Sequence, residues 1–232
     1  MKRFYKRAAS VVAENGFSIH LDGRPIKTPA RNPLHLPTKQ LGEAIASEWA
    51  AQGDEIDPVT MPLTALAQGA LDQVAHERER VVRRIAAFSD SDMLYYRGDD
   101  SQQALADHQA EKWDPLLNWA RARYDVSFTL TRGIMHRPQS KHTIARLSEV
   151  VEAQDDFTLA AMLSLVGLAG SLIAVLALIE GEYDAETLWP LMNLEELWQE
   201  QQWGRDDLAV ANRGIKQAEF FAAQQFLTLC RS

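Results

Sequence analysis

From Phe157 to Ile179 the chain runs for 23 residues without a charged side chain, and any fold it adopts must bury that segment or place it in a bilayer. About 20 apolar residues rising 1.5 Å each are enough to cross a membrane. The flanks argue against a span. Glu152, Asp155 and Asp156 precede the run and Glu180, Glu182, Asp184 and Glu186 follow it, so neither end has the Lys or Arg excess that anchors and orients one. Within the run Ala160, Ser164, Gly167, Ser171 and Ala174 recur at intervals of three and four, a small-residue stripe that permits close helix packing. The expected structure is one central helix over 157–180, buried on all sides in a helical domain, with no stable membrane insertion.

The residues before it read differently at the two ends. From Arg3 to Leu36 short runs alternate apolar and polar residues between turn signals at Asn15-Gly16, Asp22-Gly23, Pro25, Pro29, Asn32-Pro33 and Pro37. A hairpin about Asn15-Gly16 joins Val11–Ala13 to Phe17–Leu21, short strands follow near Pro25–Thr28 and Leu34–Leu36, and Thr38 caps a helix through Gln52. Two prolines, two aspartates and a glycine break the pattern between Gly53 and Pro62. Beyond that point the spacing is helical, with Asp114-Pro115 read as a cap and first turn and further helices near 140–153, 184–202 and 206–229. The expectation is an α+β protein: a β-rich domain with one helix over residues 1–58, then an all-helical domain over 59–232.

The segment Leu194-Glu-Glu-Leu-Trp-Gln-Glu-Gln-Gln-Trp-Gly204 separates two faces of a helix. At about 100° per residue Leu191, Leu194, Leu197 and Trp198 fall together, and Glu196, Glu200 and Trp203 fall nearly opposite. An indole among carboxylates is suited to a protein contact, the acids selecting a basic patch and the ring supplying buried area. Asp206 and Asp207 lie just beyond. The alternative is that Gly204 ends the helix and lets Trp203 fold back on the core, leaving the glutamates solvated.

Composition narrows the function classes. A chain of 232 residues, 46% hydrophobic and 24% charged, can bury a core without disulfides or metals. Its net charge of −8 disfavours nucleic acid and anionic lipid. Cys230 is the one cysteine and is read as a packing residue. The six histidines stand apart from any H-E-x-x-H or paired-cysteine pattern, and neither phosphate-binding glycine fingerprint occurs, so no metal, nucleotide or other cofactor is expected and no catalytic residues are assigned. The basic start Met1-Lys-Arg-Phe-Tyr-Lys-Arg7 is not followed by the apolar core of a secretory signal.

Several strings resemble one family in order along the chain. They are Arg3-Phe-Tyr-Lys6, Leu21-Asp-Gly-Arg-Pro-Ile-Lys-Thr-Pro-Ala30, Leu36-Pro-Thr38, Ala44-Ile-Ala-Ser-Glu-Trp49, Met61-Pro-Leu-Thr64, Trp113-Asp-Pro-Leu-Leu117, Ser171–Gly181, Leu194–Gln199 and Trp203-Gly204. Together they resemble the ATP synthase assembly chaperones that attend the alpha subunit of the catalytic head. The resemblance implies a non-enzymatic protein, monomeric when free, that holds unassembled alpha subunit until it meets beta. It implies the cytoplasm for a bacterial chain and the mitochondrial matrix for a processed eukaryotic one. Glu196, Glu200 and Trp203, with Asp206 and Asp207, are the expected client contacts. A scaffold for another complex, or an enzyme with an unrecognised pocket, are the alternatives.

Overall fold

The computed structural model describes residues 1–231 and has the α+β class expected from the sequence, with a small strand region at the N-terminus and helices dominating the rest, although a two-residue strand pair at Tyr96–Arg97 and Thr131–Arg132 interrupts the part expected to be all-helical. By contact density the chain divides into two compact units. One holds Met1–Val81, Asp155–Met162 and the residues from Phe221 onward; the other holds Val82–Gln154 and Leu163–Phe220.

In the first unit β1 (Ala8–Ala13) and β2 (Gly16–Leu21) form an antiparallel hairpin, and β2 also pairs with β3 (Arg24–Pro25) and β4 (His35–Leu36). Ala13 faces Gly16, so the turn residues are Glu14 and Asn15, one position earlier than the sequence reading. Gly16, not Asn15, takes the positive φ of +116°, and a Cβ there would lie 2.3 Å from the Leu36 carbonyl oxygen. Only glycine fits that point of strand crossing.

Helix α1 (Lys39–Ala50) is capped by the Thr38 hydroxyl, which accepts from the Leu41 N–H, and it buries Leu41 and Ile45. Tyr5, Leu21, Ile56 and Met61 form a core cluster to which Trp49 adds its ring. Helix α2 (Pro62–Gly69) has no cap from its own N-cap residue Met61. Glu48 of α1 does the work instead, accepting from Leu63 N–H (2.7 Å), Thr64 N–H (2.8 Å) and the Thr64 hydroxyl (2.6 Å). Burial raises the Glu48 carboxyl pKa while these three donors oppose the rise. Glu48→Ala is expected to cost about 1–2 kcal/mol, the range for a lost helix cap, read as a lower urea midpoint at unchanged slope.

A π-turn (Ala70–Val74) leads from α2 into α3 (Ala75–Ala86). Its Asp72 accepts from the Thr28 hydroxyl, the Ala30 N–H and the Asn32 amide, tying the loop of the strand region to the helices. The interruption at 53–62 therefore falls inside the first unit. Across it Glu48 of α1 bonds the start of α2, and Asp72 bonds the loop between β3 and β4.

The second unit contains α4 (Phe88–Ser91), a short parallel bridge between β5 (Tyr96–Arg97) and β6 (Thr131–Arg132), and α5 (Gln103–Tyr124). Asp114-Pro115 lies inside α5 rather than at its start. Arg97 donates to Asp114 at 2.8 Å, which gives this aspartate a side-chain partner in place of a capping role. Helix α6 (Lys141–Glu152) follows its Ser140 cap.

The uncharged run forms two helices, α7 (Asp156–Ala169) and α8 (Leu172–Glu180), and so corrects the single helix expected over 157–180. Gly170 at φ +65° ends α7, and the Ser171 hydroxyl caps α8 by accepting from Ala174 N–H at 3.0 Å. Asp92, fully buried, accepts from Ser171 Oγ–H, Ile173 N–H and Leu94 N–H, each at 3.0 Å. Leu172 through Ala177 are all buried, whereas Gly167 of the small-residue stripe is exposed and touches nothing across the helix. Among the described residues no helix is long and apolar enough to cross a membrane. The chain ends in α9 (Ala185–Met192), α10 (Leu194–Trp203) and α11 (Asp207–Cys230). Cys230 is half-buried, and burial with nearby Asp155 pushes its thiol up to about 12, in keeping with a packing residue.

Candidate protein-binding site

The helix expected over 184–202 is broken at Asn193, whose side-chain amide donates to the Trp189 carbonyl at 2.7 Å and whose backbone leaves α9 for α10. Pro190 lies inside α9 and contributes no N–H to its ladder. Helix α10 is held by its inner side. The Trp113 indole donates to the Leu191 carbonyl at the end of α9 (2.9 Å), and in α10 the Trp198 ring lies tilted against His108 with centroids 5.1 Å apart. Glu195 accepts from the Gln109 amide at 2.6 Å, and that buried glutamine also accepts from Gly98 N–H at 2.7 Å.

The expected contact residues do not all stand free. Arg213 of α11 forks between the two glutamates, one nitrogen 2.6 Å from Glu196 and the other 2.8 Å from Glu200. Its side chain is 12% exposed, and Glu200 is 15% exposed against 39% for Glu196. A bidentate, largely desolvated arginine of this kind fixes α10 against α11. Glu200 is thereby a brace, and only Glu196 keeps much of its carboxylate toward solvent. Asp206 is also engaged, capping α11 by accepting from Leu208 N–H (2.8 Å) and Ala209 N–H (3.2 Å). Asp207 is exposed in the first turn of α11, where a carboxylate complements the helix dipole.

Trp203 does not fold back. Gly204 ends α10 at φ +90°, and the indole is 78% exposed. Beside it lies a groove of about 290 Å³ lined by Gln102, Gln103, Leu105, Trp198, Gln202 and Trp203 among others. Leu208 and Ile215 of α11 are also strongly exposed, and their spacing of seven places them on one face of that helix. Neither was evident beforehand, nor was Arg213. A seven-residue spacing of two aliphatic side chains is a common core pattern, and nothing local marks which face of α11 finds a core.

A family model of the ATP12 chaperone protein matches residues 2–121. Protein atp12, mitochondrial, of Schizosaccharomyces pombe is 25% identical over 242 residues, spanning 99% of this chain and 82% of that protein. The crystal structure of Atp12 from Paracoccus denitrificans superposes with a TM-score of 0.94 at 38% identity, covering 99% of this chain and 98% of that one. A solved protein of Agrobacterium tumefaciens matches with a TM-score of 0.93 at 38% identity, over 98% of this chain and 85% of its own. With a family model over half its length and solved relatives along nearly all of it, this chain belongs to the ATP12 chaperone family of ATP synthase assembly factors.

Proposed function

We propose that this protein binds the unassembled alpha subunit of the ATP synthase catalytic head, covers the surface that alpha later buries against beta, and releases it to assembly. The supporting observation is Trp203, displayed at the rim of a preformed groove on a helix that is braced from behind by Arg213. A subunit built for a large obligate interface exposes apolar surface while alone, and such surface self-associates. A chaperone that covers it reversibly is displaced by the larger native interface.

Trp203 is the anchor in this reading, with Leu208 and Ile215 widening the contact. Glu196 and Asp207 steer a basic patch of the client. Glu200 and Asp206 act through the shape of the corner that they hold. The work is binding and needs no cofactor. It takes place in the cytoplasm of a bacterium or the matrix of a mitochondrion.

The test is suppression of aggregation of isolated alpha subunit by the purified protein, with isolation of a complex. Beta subunit and an unrelated aggregating protein serve as controls. Selective protection of alpha is the expected result. Equal protection of all three, or no complex with alpha, would return the protein to scaffolding some other assembly.

A further inference from the structure

The outer edge of β1 is an unfinished sheet. In a hairpin whose Ala13–Gly16 pair closes a two-residue turn, the odd-numbered residues of β1 direct their backbone groups toward β2, while Ala8, Ser10 and Val12 direct theirs outward. No partner for those outward N–H and C=O groups occurs among the described residues. Natural edge strands are guarded by lysine, proline or a bulge. The run Ala8-Ala-Ser-Val-Val-Ala13 has none of these, and Val12 is 77% exposed.

We propose that this edge pairs with the β1 edge of a second copy, antiparallel about a two-fold axis through Ser10. One register satisfies every open residue at once. Ala8 then faces Val12 of the other copy, Ser10 faces Ser10, and Val12 faces Ala8, each pair exchanging both of its backbone hydrogen bonds.

Charge singles out a copy of this chain as the occupant: β1 begins beside Lys6 and Arg7, whose backbone N–H groups bond the Asp22 carboxylate, and ends beside the exposed Glu14, which has no ion pair among the described residues, and the two-fold brings the acidic end of each strand to the basic end of the other. The Ser10 hydroxyl takes no part, since it is buried against Gly42 of α1. A single six-residue strand pair is far smaller than a standard interface, so the association is weak and depends on high protein concentration.

Sedimentation of the full chain from about 1 to 500 µM is expected to show a monomer passing to a dimer. Val12→Pro removes an outward N–H that makes no bond within the hairpin, and should weaken dimerisation on the order of tenfold, because the symmetric pair loses the bond twice. Glu14→Lys, a surface change that leaves the fold alone, should weaken it as well, and adding Lys6→Glu should restore it. A monomer at every concentration would overturn the proposal, as would a dimer indifferent to Val12→Pro or a charge swap without rescue. Loss of client binding by Val12→Pro in a protein that is always monomeric would overturn it too, and would give the edge to a client strand.

Discussion

Asp92→Ala is expected to lower the free energy of unfolding by about 4 kcal/mol, enough to remove a large fraction of the stability of an ordinary domain. The carboxylate is fully buried and accepts from Leu94 N–H, Ile173 N–H and the Ser171 hydroxyl. Alanine leaves all three without an acceptor at a place water does not reach, and each stranded donor costs about 1–3 kcal/mol. It also unfastens the start of α8, the most completely buried helix. Chemical denaturation checks the magnitude, and a loss under 1 kcal/mol would mean that the site relaxes or admits water.

The same residue carries a pH dependence whose sign is fixed. Burial pushes the Asp92 carboxyl up from its ordinary 3.8 to about 6, against the donors that favour the ion. The folded state therefore holds a proton that the unfolded state has already released. The contribution to stability is fully present below pH 3.8 and is lost as pH rises through about 6. Across that window the loss is on the order of 3 kcal/mol. Asp92→Asn cannot titrate, so the difference between wild-type and variant stability curves isolates this slope.

Trp203→Ala should weaken binding of isolated alpha subunit by about 30- to 100-fold, or 2–3 kcal/mol, the scale of an aromatic anchor at an interface. The unbound protein should melt within about 1 °C of wild type, since a side chain that is 78% exposed contributes little to the fold. That separation makes the indole a cleaner probe than the glutamates. Reversing Glu196 or Glu200 disturbs the Arg213 fork, and a loss of binding would then mix contact with shape. Unchanged affinity on titration of Trp203→Ala would remove the end of α10 from the client interface.

Much of this fold can be read in the sequence because local signals and burial agree. Thr38 announces α1 as a cap, helical spacing announces α6 near 140–153, and the turn-rich start announces the strands. Hydrophobicity alone could not reveal the break at Gly170-Ser171, because both sides of it are equally apolar. The break depends on Asp92, a residue distant in sequence that rewards a second N-terminus with its carboxylate. Pro115 misleads for a related reason: Asp114 finds Arg97 instead of a capping role. The pairing of β5 with β6 is two residues on each strand and leaves no periodic trace. At the candidate site, helical spacing sets the glutamates and Trp203 opposite the leucines and Trp198, whereas in the structure Trp198 and Trp203 line one groove and Glu200 is part-buried. Spacing cannot show that Arg213, on another helix, has already claimed both carboxylates, because that pairing exists only after α10 and α11 meet.

The cover of α11 is uneven along its length. From Phe220 onward this helix is embedded, but from Asp207 to Glu219 nearly every position faces water, with Arg213 as its main tether. A helical stretch of that length has little persistence of its own. Its amides should therefore exchange with deuterated solvent far faster than those around Phe226, through fraying that leaves the rest of the molecule intact. A client that settles on Leu208 and Ile215 must quiet this motion as it binds, so part of the contact energy goes into ordering the helix. That cost keeps the grip moderate over a broad apolar surface, in line with the reversible binding proposed for it.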